Sequence, residues 1–145
     1  MARYRAGSFF DVPRALENLN LAKGRIQPII WAHHDDGEYI GNVTLANVSN
    51  GAWVGGMFYI APDAKNDDGA FDLVYAEPVT RMRVLSLLPK LIRGNHIEQA
   101  GIFSHRVESF ELVADAPVPS HLDGEVQPLQ SEFDIEVLPG ALQLL

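Results

Sequence analysis

Oxygen donors crowd residues 55–73, GGMFYIAPDAKNDDGAFDL, where Asp63, Asn66, Asp67 and Asp68 lie close together in the chain. Such a loop can hold a hard divalent cation, because Mg²⁺ is satisfied by one or two carboxylates, a few carbonyls and several waters. The same residues also make an ordinary hairpin loop with its acidic side chains in water, and composition alone favours that plainer reading. A second carboxylate, Glu125, follows Asp123-Gly124 in SHLDGE, residues 120–125. A tight turn projects the next side chain from a rigid loop, a sound place to present a carboxylate. Glu38 follows Asp36-Gly37 in the same way. Residue physics does not separate the two, and a solvated turn glutamate accounts for either. His33, His34, Asp35 and Asp36 form a third group, of a kind that a metal-dependent hydrolase could use. Neighbours along a strand point to opposite faces and do not readily converge on one ion, which favours a solvated hairpin tip.

The elements that must position these groups read as short strands and two helices. Near the N-terminus, Asp11 suits an N-cap, Pro13 a first turn, and Ala15, Leu16 and Leu19 keep helical spacing before Lys23-Gly24. Phe9 and Phe10 precede that helix and need a partner to bury them. The segments RIQPIIWAHH and EYIGNVTLANVSN, divided by Asp35-Asp36-Gly37, predict a hairpin with Trp31, Ile40, Val43 and Leu45 in the core. Residues 57–60 read as a strand that breaks at Ala61-Pro62, and extended structure resumes over residues 71–77.

Pro78-Val79-Thr80 then opens the longest helical pattern. At roughly 100° per residue, Val84, Leu85, Leu88, Leu91 and Ile92 share an apolar arc of about 120°. Arg83, Lys90 and Arg93 gather on the opposite side, Pro89 is expected to kink the helix, and Gly94 ends it. The basic stripe is either a solvated face complementing the helix dipole or a contact for lipid phosphate or a membrane surface. Strands follow at residues 102–105 and 110–115. Phe133, Ile135 and Val137 alternate with Glu132, Asp134 and Glu136, the pattern of a strand with one buried and one wet face. Leu138-Pro139-Gly140 turns the chain into a last apolar segment. Many short strands with two helices predict an antiparallel β-sandwich or barrel-like domain.

Composition bounds the function. The 145 residues show no repeat, linker or low-complexity tract and read as one domain, 1–145, able to bury about 68–70% of its unfolded surface. The absence of cysteine excludes a disulfide framework, a cysteine-ligated zinc and a thiol nucleophile. With no apolar run of about 18 residues and no signal-peptide core, the expected location is the cytoplasm. A net charge of −8 argues against a nucleic-acid partner and requires any phosphate contact to come from a local basic patch.

Gly55-Gly56, Ala61-Pro62-Asp63-Ala64 and Asp67-Asp68-Gly69-Ala70-Phe71-Asp72 resemble the "GGG-f-iaPdA-DDGllD" signature of the diacylglycerol kinase, sphingosine kinase and bacterial lipid kinase family, in its C-terminal domain. Asn47-Val48-Ser49-Asn50-Gly51, the run SLLPKLIRG, Arg106, Leu122-Asp123-Gly124-Glu125 and Leu138-Pro139-Gly140-Ala141-Leu142 are similar to further family segments. The resemblance thus runs from about residue 40 to the end. It implies a mainly β fold with two helices, an antiparallel β-sandwich of the lipid kinase / NAD kinase C-terminal type. It also implies a Mg²⁺ site using the Asp68 carboxylate with the main-chain carbonyls of Lys65 and Ala70. In the family the glutamate matched by Glu125 serves as proton acceptor, or within a Mg²⁺–water network, when a lipid hydroxyl such as that of diacylglycerol takes the γ-phosphoryl group of ATP.

The Gly-Gly-Asp-Gly-Thr motif with which that family holds ATP phosphates does not occur in this sequence. The resemblance therefore implies a lipid-side domain whose nucleotide half is elsewhere, inactive alone because phosphoryl transfer depends on positioning and charge neutralisation around nucleotide and metal. Expected partners are that N-terminal domain, a lipid substrate and, transiently, a membrane surface, at the membrane periphery; a homodimer is left open. A non-enzymatic lipid-binding or regulatory module and a small hydrolase built on the His33–Asp36 cluster are the alternatives. NAD kinases share a distantly similar architecture.

Overall fold

A computed structural model describes residues 3–4, 29–35 and 37–141. The helix expected over residues 11–24, with Phe9 and Phe10 before it, lies outside the described residues, as do residues 142–145. In chain order the elements are β1 (Arg3–Tyr4), β2 (Ile29–His34), β3 (Gly37–Asn42), β4 (Leu45–Ser49), β5 (Phe71–Ala76), α1 (Arg81–Arg93), β6 (Ile102–Val107), β7 (Ser109–Val118), β8 (His121–Leu122), β9 (Glu125–Val126) and β10 (Gln130–Glu136). The architecture is mainly antiparallel β sheet, with one helix among the described residues. Two compact units divide the chain: Val43–Glu108 forms one, and the segments on either side of it form the other.

The flanking segments build a five-stranded sheet, β1-β10-β7-β2-β3, in which every neighbouring pair is antiparallel. The expected hairpin is present: His34 pairs with Gly37, leaving a two-residue loop, and Trp31 pairs with Ile40. Its core differs from the expectation, because β3 is an edge strand and leaves Ile40 49% exposed. The interior strands β2 and β7 carry the burial instead, with Ile29, Ile30, Ala32, Phe110, Leu112, Val113 and Ala114 all inside. On β10, Phe133 is buried beside exposed Glu132, as the alternation predicted.

The second unit holds the three-stranded sheet β4-β5-β6. The segment read as the second arm of the hairpin splits at Val43-Thr44, so β3 and β4 join different sheets. Val43 is buried at the break, whereas Leu45 lies 46% exposed rather than in the core. On the central strand β5, Asp72, Leu73, Val74 and Tyr75 are all buried. Residues 57–60 form no strand: Gly55 and Gly56 take positive φ and make a turn, leaving a single bridge between Val54 and Phe58.

Helix α1 begins where Thr80 accepts the Arg83 amide and ends where Gly94, at φ 78, reverses the chain. Of the apolar arc, Leu91 packs with Ile60, Ala61 and Val74, while Val84, Leu85, Leu88 and Ile92 are exposed, as is Met82 beside them. The half-buried side of the helix carries Arg83, Leu87, Lys90 and Leu91. Arg83 donates to the Ala100 carbonyl, and Lys90 donates to Gln99 Oε1.

Candidate functional site

Antiparallel register places directly opposed residues on one face of a sheet. Asp72 stands between Ser49 on β4 and Arg106 on β6, and Val74 stands between Asn47 and Ser104. The Val74 end of this face is covered by Ile60 and Ala61 from the preceding loop. The Asp72 end is polar: Asp63, Lys65, Asp68, Asp72, Ser104 and Arg106 line a cavity of about 390 Å³.

The aspartate loop is held from both sides of Asp68. Its Oδ1 accepts the Ala70 amide at 3.2 Å, the local turn that the Asp-Gly pair favours. Its Oδ2 meets the Arg106 guanidinium at 3.0 Å, and Arg106 also donates to the Asp68 carbonyl at 3.1 Å. Burial pushes the Asp72 carboxyl above its ordinary value, the charges of Asp68 and Asp63 push it further, and Arg106 pulls the other way. Burying like charges together is unfavourable unless a cation offsets them.

The donor types here are those that a hard divalent ion accepts, although no three carboxylates converge on one point among the described residues. Three carboxylates and a hydroxyl line the cavity, and Lys65 and Ala70, whose carbonyls complete the expected ligand set, belong to the same loop. Asp63 was among the oxygen donors read from the loop, and Asp72 and Arg106 among the positions that resemble the family, but no ligand role was given to them, and Ser104 was not noticed. The available signal was strand periodicity, since Asp72 shares a face with Val74 and with its cross-strand partners.

Glu125 belongs to the unit built by the flanking segments, on its β8–β9 ribbon. Leu122 pairs with Glu125 across Asp123-Gly124, whose φ angles of 48° and 88° are the mirror-image turn that Asp-Gly serves in two-residue hairpins. The Gln127 amide donates to the Ser120 carbonyl and its side chain to the Glu125 carbonyl, so the ribbon is pinned while the Glu125 side chain is exposed. Glu38, the competing turn glutamate, is a cross-strand neighbour of His33 at 3.6 Å.

The histidine–aspartate cluster does not converge. His33 is exposed and stacks over Trp31, whereas His34, on the opposite face, is buried. The Asp35 carboxylate accepts the Ser109 hydroxyl at 2.9 Å, and Asp36 lies outside the described residues. Among the described residues no three His, Asp or Glu side chains gather to hold a metal by themselves. Of the basic stripe, Arg83 and Lys90 are engaged at the body of the unit, and Arg93 is exposed.

One buried histidine escaped the sequence reading. His96 donates from Nε2 to the Ile60 carbonyl at 2.9 Å, which leaves Nδ1 as a buried acceptor without a partner. Burial lowers its pKa, against a smaller raising effect of that hydrogen bond. The imidazole thereby ties the segment after α1 to the start of the aspartate loop.

The family described as "YegS C-terminal NAD kinase beta sandwich-like domain" matches residues 20–145. A protein of Mycobacterium tuberculosis (strain CDC 1551 / Oshkosh) named "Diacylglycerol kinase" is 30% identical over 124 residues, covering 83% of this chain and 39% of that protein. A diacylglycerol kinase structure from Bacillus anthracis str. Sterne superposes with a TM-score of 0.65 at 20% identity, covering 90% of this chain and 44% of the other. The chain thus spans about two fifths of the length of these relatives.

Proposed function

The chain belongs to the family of YegS C-terminal NAD kinase beta sandwich-like domains, the C-terminal domain of diacylglycerol and lipid kinases, and from that premise we propose that it is the lipid-side domain of an ATP-dependent lipid kinase. The observation that carries the proposal is the cavity in which Asp63, Asp68 and Asp72 face Arg106. Asp68 and the main-chain carbonyls of Lys65 and Ala70 would hold Mg²⁺ there, and the ion would supply positive charge, beside that of Arg106, to offset these carboxylates. Glu125 is the proton acceptor. The lipid hydroxyl oxygen forms a bond to the γ-phosphorus of ATP as the bond to the ADP oxygen breaks, and the hydroxyl proton passes to the Glu125 carboxylate. The rigid Asp123-Gly124 turn suits Glu125 to that role by fixing its backbone while leaving the carboxylate accessible. Nucleotide binding belongs to a second domain, and without it the lipid hydroxyl has no phosphorus to attack. The working place is the cytoplasmic membrane surface.

The 145-residue chain, incubated with ATP, Mg²⁺ and diacylglycerol, should yield no phosphatidic acid; turnover by the chain alone overturns the division of labour. Isothermal calorimetry should detect Mg²⁺ binding to the chain and its loss in Asp68→Ala. Heat of binding unchanged in that variant removes the aspartate loop from the metal site.

A further inference from the structure

Helix α1 is turned the wrong way for a helix of a water-soluble domain. Amphipathic helices ordinarily put the apolar arc on the core and the charges in water. Here none of the 13 helical residues is buried, and Met82 (73%), Leu85 (59%) and Ile92 (46%) are among the most exposed apolar residues of the unit. Arg83 and Lys90 take the inward side, where Ala100 and Gln99 satisfy them. The outward side therefore presents an apolar edge of Met82, Leu85, Leu88 and Ile92, with exposed Arg81 and Arg93 at its two ends.

Charge identifies what covers this edge. The helix carries Arg81, Arg83, Lys90 and Arg93 and no acidic residue, in a chain whose net charge is −8. That local concentration of cations complements an anionic lipid surface, toward which the chain as a whole is repelled. A second copy docking the same face would set Arg81 and Arg93 of each copy against the like charges of the other. At about 1.5 Å per residue the helix is roughly 20 Å long, and no helix among the described residues is long and apolar enough to cross a membrane, so α1 lies in the interface plane. Trp53 is linked to the C-terminal end of the helix through Tyr59. It is 57% exposed and stacks on Tyr59, whose amide donates to the Leu91 carbonyl at 3.1 Å. Tryptophan in that position favours the headgroup level.

We propose that α1 is an interfacial anchor: Met82, Leu85, Leu88 and Ile92 enter the outer acyl region of an anionic bilayer while Arg81 and Arg93 meet its phosphates. The proposal rests on the lipid-kinase reading and names the surface through which the domain reaches its water-insoluble substrate. Its inserting residues are the opposite edge of the helix from Arg83 and Lys90.

The test is flotation of the 145-residue chain with phosphatidylcholine vesicles, with and without phosphatidylglycerol. The chain should float with the anionic vesicles and far less with neutral ones. The double variant Leu85→Ser/Ile92→Ser should bind the anionic vesicles at least about tenfold more weakly, as expected from removing two inserted side chains. Its far-UV circular dichroism and Tm should match the parent, since both positions are exposed. Equal flotation of parent and variant overturns the anchor. So does a lipid-free dimer in sedimentation velocity that the double substitution dissociates, which gives the face to a second copy. Calorimetric titration with a soluble short-chain diacylglycerol reads the substrate assignment separately. Binding of that lipid without flotation sinks the anchor alone; flotation without it supports the anchor and sinks the substrate assignment.

Discussion

Asp72 is the residue at which the physics of the second unit concentrates. It is 6% exposed on the central strand, and burial and two neighbouring carboxylates raise its pKa against the pull of Arg106. A raised folded value means that the folded state holds the proton more tightly. Its contribution to stability is therefore full below the unfolded value of 3.8 and is lost as pH rises through the folded value. At pH 7 in EDTA, Asp72→Asn should stabilise the protein by about 1 kcal/mol, a Tm rise of roughly 2–4 °C. The gain should shrink when Mg²⁺ saturates the cavity, because the cation already offsets the charge that the substitution removes. A lower Tm in EDTA would show that the carboxylate stabilises the metal-free fold. Glu125 works at the same scale with the opposite readout. In a protein that also carries the nucleotide half, Glu125→Gln should lower kcat by about 10²–10⁴ with Tm unchanged, since its side chain is exposed. An unaltered rate removes Glu125 from the reaction. The Asp68-Gly69 and Asp123-Gly124 turns were legible in the sequence because their causes are local. The Arg106–Asp68 pair spans 38 positions and depends on strand register, which no local pattern states.

At the scale of elements, Gly94 shows why the helix must end where it does. Its φ of 78° is left-handed, and an added Cβ would lie 2.6 Å from Tyr59 Cδ1 and 3.0 Å from Pro62 Cγ. Gly94→Ala should destabilise the chain by about 2–3 kcal/mol, combining backbone strain with overpacking. Gly124, at φ 88° with nothing within 4 Å of the added atom, is the control. Gly124→Asn should change stability by less than about 1 kcal/mol, since asparagine tolerates this conformation. Equal losses in urea unfolding would mean that the Tyr59 contact carries none of the effect. Helix limits, the β2–β3 hairpin and the alternation around Phe133 were readable because each is written in local spacing. The orientation of α1 was not. Periodicity reveals that a helix has two faces, and only tertiary contacts such as Leu91 against Val74 decide which one turns inward. Ile40 and Leu45 were misplaced for a related reason: strand residues are buried by what covers the sheet, and both fall on strands at an edge.

For the whole molecule, the mainly antiparallel class followed from many short alternating strands, while the division into two units was invisible because the chain leaves one and returns to it. That division gives acidification two opposite effects. In the flanking-segment unit, burial raises the Glu111 pKa, helped by Asp134 and opposed by His33, so this group adds stability as pH falls toward its unfolded value of 4.5. In the Val43–Glu108 unit, His96 has a lowered pKa. Its contribution is present above the unfolded value of 6.5 and is lost as pH falls through the folded value, because the unfolded chain takes up the proton first. In an Asp72→Asn background, which removes the opposing titration of that carboxyl, the unit holding His96 should therefore weaken relative to the other between pH 7.5 and 5.5. Native-state hydrogen exchange reads this directly, since amides on β4, β5 and β6 should lose protection while those on β2, β7 and β10 hold or gain it. His96→Gln in an Asp72→Asn background should lower protection of β5 at pH 7.5 and abolish its fall toward pH 5.5. A fall of the same slope in that variant would assign the acid sensitivity to some other group, and the Ile60–His96 tie would then be structural at every pH.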